Sequence, residues 1–70
     1  MGNLVDYVIF MDGDLLVVRG IVEYVPGVYH VYDSYEDGHQ ELLTSPDGRH
    51  VAMSLTEAVM LLDDVKEVRK

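Results

Sequence analysis

Apolar residues along the chain fall into blocks, and turn-forming residues separate them. "LVDYVIFM" (4–11), "LLVVRGIVEYV" (15–25) and "VYHVYDSY" (28–35) are rich in Val, Ile, Leu and Tyr, which fit a pleated, half-buried surface. The breaks are Asp12-Gly13, Pro26-Gly27, Asp37-Gly38 and "SPDG" at 45–48. Asp-Gly is a two-residue hairpin signal. Pro-Gly suits a type II turn, with Pro setting the first φ and Gly taking the positive one, and "SPDG" suits a type I turn followed by glycine. The pattern predicts strands at about 4–11, 14–25, 28–35, 39–45 and 49–53. Short links make neighbours antiparallel, hence a meander. Gly20, inside the long second strand, predicts a bulge or sharp bend that lets the sheet curl.

Near the end of the chain the period changes. "SLTE" at 54–57 is a capping box, in which Ser54 accepts from the Glu57 amide and Glu57 reaches back to the Ser54 amide; Met53 and Ala58 occupy the staple positions. Leu55, Ala58, Val59, Leu62 and Val65 then recur at helical spacing and form a stripe facing the sheet, with Leu61 and Val68 on its flank. Lys66, Arg69 and Lys70 stand where cations complement the helix dipole. The expectation is a helix over about 55–68. The whole chain, 1–70, is expected to be one α+β domain: a bent antiparallel β-meander of four to five strands with one C-terminal helix packed across it.

Composition narrows the partners. A chain of 70 residues buries only about 60% of the surface its unfolded form exposes. With no cysteine, neither a disulfide nor a thiolate metal site is available. The hydrophobic fraction of 49% therefore carries the stability and argues against intrinsic disorder. Thirteen acidic against five basic residues give a net charge of −8. That disfavours nucleic acid or an anionic membrane as a direct partner and favours a basic protein; the bland alternative is that the charge serves solubility alone. No apolar run approaches the roughly 18 residues of a membrane helix, and the start lacks the basic residues of a secretory signal. A cytoplasmic protein is expected, in the host cytoplasm if phage-encoded.

Catalytic patterns are missing. There is no glycine-rich phosphate loop, no H-E-x-x-H and no cysteine nucleophile, so the expectation is no enzyme, no cofactor and no metal. His30, His39 and His50 lie on different segments; a zinc site would need the fold to gather them with Asp33 or Asp37. "DGD" at 12–14 reads better as a hairpin than as a calcium-loop fragment.

Two surfaces stand above this background. In the third strand Tyr29, Val31, Asp33 and Tyr35 share one face, and Val28, His30, Tyr32 and Ser34 the other. Tyrosines and acids thus mix on an exposed edge, and Glu36, Asp37 and Glu41 continue the acidity around the turn. Side chains two apart on a strand are roughly 6.6 Å apart, comparable to neighbouring phosphates. Asp33, Glu36, Asp37 and Glu41 are the candidates for charge, and Tyr32 and Tyr35 for contact; the alternative is a solvated hairpin with core tyrosines. The second surface is the outer face of the helix, where Glu57, Asp63, Asp64 and Glu67 ring Met60, an adaptable apolar anchor. Its alternative is an ordinary exposed methionine.

"HVYDSYEDGHQELLTS" at 30–45 resembles the acidic, tyrosine-containing segment and Leu-Leu-Thr-Ser strand of uracil-DNA glycosylase inhibitors; that family's Glu-Ser-Ile strand has no counterpart here. In size, charge and architecture the chain resembles anti-CRISPR proteins. "SLTEA" at 54–58 is similar to the helix start of HicB-type antitoxins. These resemblances imply a non-enzymatic inhibitor presenting phosphate-like carboxylates to a basic nucleic-acid-binding protein, such as a CRISPR effector or a DNA-repair enzyme. The rival expectation is a small acidic interaction module or antitoxin-like homodimer, joined through an exposed strand edge and free of DNA mimicry.

Overall fold

The computed structural model describes residues 2–65. They form β1 (Asn3–Asp12), β2 (Leu15–Val25), β3 (Val28–Tyr35), β4 (Gln40–Leu42) and α1 (Leu55–Asp63). The strands make one antiparallel sheet in the order β1-β2-β3-β4, because each link is too short for anything but a hairpin. At the first turn Gly13, with φ 61°, takes the leading place between the paired Asp12 and Leu15, as a type II′ turn requires. At the second, Gly27 follows Pro26 with φ 85°, which suits the expected type II turn.

Two bulges set which side chains share a face, and neither is at Gly20. Val25 pairs with Val28, but Glu23 pairs with Tyr29, so Tyr24 is an extra residue in β2. Counting back from a regular hairpin would set Arg19 opposite Ser34; the one-residue slip sets it opposite Asp33. In β1 the pairs Leu4–Val22 and Asp6–Ile21 leave Val5 extra and turn Leu4 to the opposite face from Asp6. Gly20 itself pairs regularly with Tyr7 and Tyr32. The bulge expected there lies elsewhere, at strand ends where the ladder is easiest to interrupt.

Pairing sorts the sheet into an inner and an outer face. On the inner face Ile21 and Val31 are fully buried and pack with Met53, Ala58, Leu61 and Leu62, flanked by Val8, Tyr29 and Leu43. The capping box forms as expected: the Glu57 amide donates to Ser54 Oγ at 3.2 Å and the Ser54 amide to Glu57 Oε1 at 3.0 Å. The buried stripe of α1, however, is Ala58, Leu61 and Leu62. Leu55 and Val59, expected against the sheet, are exposed. At about 100° per residue the stripe is turned by roughly 40° from the expected one, with Leu61 in place of Leu55 and Val59 on the buried side.

Arg19 explains that choice. Its guanidinium holds Asp33 through two bonds, Nε–Oδ1 at 2.8 Å and Nη2–Oδ2 at 3.0 Å, and Nη1 donates to the Leu61 carbonyl at 2.9 Å. That carbonyl is among the last of α1, which the helix leaves without an internal partner. A cation there also complements the dipole. The Phe10 ring lies 5.1 Å below the guanidinium carbon.

Three expected boundaries differ. The strand expected at 39–45 is Gln40–Leu42. The strand expected at 49–53 is absent from the described residues: the segment closes its turn on itself, Ser45 N to His50 O at 2.7 Å, and only Met53 bridges to Tyr29. The helix ends at Asp63, where two consecutive acids oppose the dipole; Lys66, Glu67, Val68, Arg69 and Lys70 lie outside the described residues.

Candidate functional site

The expected acidic surfaces converge on one end of the molecule. The β1–β2 and β3–β4 turns are neighbours, since the Glu36 amide donates to Leu16 O at 3.0 Å and the Leu16 amide to Glu36 Oε1 at 2.7 Å. The helix runs toward the same end: Met53, just before it, bridges to Tyr29, and Leu61, near its end, meets the Arg19–Asp33 pair. Asp12, Asp14, Glu36, Asp37 and Glu41 are exposed on the two turns and the adjoining strand, and Asp63 and Asp64 are exposed at the end of α1. Asp12 and Asp14 belong to this end although their turn residues signalled only a hairpin. Their proximity depends on the β2–β3 register, which no short motif carries.

Asp33 does not belong to it. Expected on an exposed edge, it is 3% exposed and its charge is taken up by Arg19. β3 is no edge strand either: β4 covers it at Tyr32–Ser34, and Leu43 N donates to Val31 O at 2.8 Å. Tyr32 and Tyr35 fall on opposite faces, as their alternation predicts. Tyr35 stacks on His39, with ring centroids 4.1 Å apart, and its hydroxyl lies 3.4 Å from Glu41 Oε1. Partial desolvation, then the nearby carboxylates of Glu41, Asp33 and Asp12, push the Tyr35 phenol up from its ordinary value. The Asp37 carboxylate is held below the usual range by the His39 amide and side chain.

On the helix, Met60 is exposed, as expected, with Asp63 and Asp64 also exposed. Glu57 is turned inward to the capping box and is half-buried; Glu67 lies outside the described residues. The residues placed to hold a cation are Asp47, His50 and Glu57, whose ligand atoms lie within 4.8 Å of one another. They do not include Asp33 or Asp37, with which a zinc site would need the histidines gathered: Asp33 is engaged by Arg19 and Asp37 pairs with His39. His50 Nε2 stands 3.6 Å from Glu57 Oε2, and Asp47 accepts from Ser45 Oγ and the Arg49 amide, which lowers its pKa. This contact ties the 45–50 turn to the helix start.

The outer face of the sheet is different again. Leu4, Val18, Gly20, Val22, Tyr32, Ser34 and Gln40 line an open groove of about 450 Å³. Gly20 supplies its floor: a side chain there would meet Leu4 at 3.0 Å. Tyr24, His30 and Tyr32 form an aromatic row beside it, with centroids 5.1 Å and 6.3 Å apart.

No protein-family model, curated protein or solved structure matches the chain. No described helix is long and apolar enough to cross a membrane.

Proposed function

We propose that the chain is a non-enzymatic inhibitor of the anti-CRISPR or anti-defence kind, acting in the cytoplasm on a basic, nucleic-acid-binding enzyme. The observation that carries this reading is the gathering of Asp12, Asp14, Glu36, Asp37, Glu41, Asp63 and Asp64 at one end of the fold. Arg19 and Arg49 are the lysines and arginines of the described residues, and Arg19 is committed to Asp33. Clustered carboxylates of this density match the sites where a protein's cations await phosphates. Tyr35, stacked on His39 within the cluster, adds a rigid aromatic contact of the kind interfaces use. The segment similar to uracil-DNA glycosylase inhibitors, 30–45, spans β3, the acidic turn and β4, so that target belongs to the same class of partner.

The test is capture from a bacterial lysate on the immobilised chain, at rising salt, with mass spectrometry of what is retained. The expected result is a basic nucleic-acid enzyme whose retention falls as salt rises and is lost with the triple variant Glu36→Lys, Asp37→Lys, Glu41→Lys. Equal retention by the variant, or recovery of nothing but the chain itself, overturns the proposal. Capture of a uracil-DNA glycosylase in place of a CRISPR effector would name the target within it.

A further inference from the structure

No element among the described residues packs on the sheet's outer face, and none of its strand residues there is a carboxylate, a lysine or an arginine. Alternation and the two bulges send Asp6, Asp12, Glu23, Asp33 and Glu41 to the inner face. The outer face carries Leu4, Tyr7, Ile9 and Met11 from β1, Leu16, Val18, Gly20 and Val22 from β2, and Leu42 at the far edge. Among its strand residues the ionisable groups are tyrosines and His30; Glu36, one residue past β3, stands beside Leu16 at its corner. In a chain of net charge −8, four strands with no carboxylate among their outer-facing residues are a pronounced segregation. Leu4 is 62% exposed, Tyr24 55% and Leu42 44%.

β2 itself points to a cover. "LLVV" followed by "IV" is a nearly continuous apolar run, the pattern of a strand buried on both faces. The single helix among the described residues packs on one face, so the other is built for burial against something else.

We infer that this something is a second copy of the chain, docked outer face to outer face. The area suffices: four strands about 4.8 Å apart and eight residues rising about 3.3 Å each give roughly 500 Å² in projection. Two copies then bury on the order of 1,000 Å², the threshold for a specific interface. Charge favours it too. Two copies repel through every acidic surface they carry, and the outer face is where they meet without opposing carboxylates. Homodimer interfaces are also more apolar than other protein interfaces. The contact is two-fold symmetric, each copy's aromatic row and groove serving both sides. It leaves the two acidic ends outside the contact.

The experiment is sedimentation velocity over a dilution series, from about 100 µM downward, on the wild-type chain and on Tyr24→Glu, Leu42→Asp and the double variant. Both sites are well exposed in the single copy, so the variants fold; far-UV circular dichroism checks this. The expected result is a wild-type species of twice 7.9 kDa that dissociates on dilution, a dissociation constant raised at least tenfold by either substitution, and a monomeric double variant. Met60→Asp, on the helix, leaves the dimer intact. A wild-type monomer at the highest concentration overturns the inference, as does a dimer that survives the double variant, which would place the contact at the β1 edge instead. A wild-type monomer that captures another protein through this face, with capture lost in the double variant, equally overturns it in favour of a different occupant.

Discussion

On the inner face of the sheet, Arg19 and Asp33 sit side by side on β2 and β3 under the helix, and Ile21 and Val31 beside them are fully buried. One residue along on the same strands, Gly20 and Tyr32 sit side by side on the outer face, where no described element covers them. The inner face tolerates an ion pair despite its enclosure because the charges are matched; no buried side-chain nitrogen or oxygen lacks a partner among the described residues. Among the described residues, the outer-facing strand positions carry no carboxylate, lysine or arginine and nothing covers them. A closed core can hold charge by pairing it, whereas a surface that must meet a partner of the same sign does better without any.

The largest predicted effect breaks the inner face. Asp33→Ala leaves the Arg19 guanidinium, 13% exposed at its side chain, without its counter-charge, and stability falls by about 3–5 kcal/mol. A domain of this size has roughly 4–10 kcal/mol in all. Urea denaturation reads the loss, and replacing both residues by apolar ones of similar volume restores most of it. If Asp33→Ala unfolds at the wild-type midpoint, the pair is not what holds the inner face.

Next comes a matched truncation on each face. Leu61→Ala costs about 2–5 kcal/mol at any protein concentration. Tyr24→Ala shifts the midpoint only where the dimer is populated, and its effect vanishes on dilution. Concentration-independent effects at both positions would erase the distinction between the faces.

A smaller effect tests the helix that makes the inner face closed. Ser54→Ala removes one half of the capping box and costs about 1 kcal/mol, seen as a lowered denaturation midpoint; Ser54→Asp, also a good cap, retains most of it.

The smallest effect lies at the exposed turns. The Asp37 and Asp47 carboxylates are depressed below their ordinary value of 3.8 in the folded chain. Their contribution is therefore present above pH 3.8 and lost as pH falls through the lower folded values. A midpoint series between pH 5 and pH 2 should fall less steeply in Asp37→Asn and Asp47→Asn than in wild type; identical slopes would show that these hydrogen bonds contribute nothing.

What was legible in the sequence was local. The Pro26-Gly27 turn and the Ser54–Glu57 capping box each depend on a few consecutive residues whose conformations are chemically forced. The strand order followed from short links. What escaped was register. Tyr24 as a bulged residue moves every pair in the β2–β3 ladder by one, and only that slip turns Asp33 from an apparent edge acid into the partner of Arg19. A lone arginine within an apolar strand was a signal that some carboxylate must join it, but not which. The helix stripe is hidden for a related reason: Leu55, Val59 and Leu61 are equally apolar, and only the tertiary contact of Arg19 with the Leu61 carbonyl marks the side that meets the sheet. The acidic end itself is half visible in the sequence, through Glu36, Asp37 and Glu41 and, as a separate surface, Asp63 and Asp64; the fold joins the two and adds Asp12 and Asp14.

If the acidic end stands in for phosphates, as proposed, the chain and DNA compete for one site on the partner. With the captured partner held at a fixed concentration, a duplex oligonucleotide is added while the bound fraction of this chain is followed. The account predicts mutual exclusion, with the chain displaced in proportion to the DNA bound. A stable ternary complex of partner, DNA and this chain would contradict it.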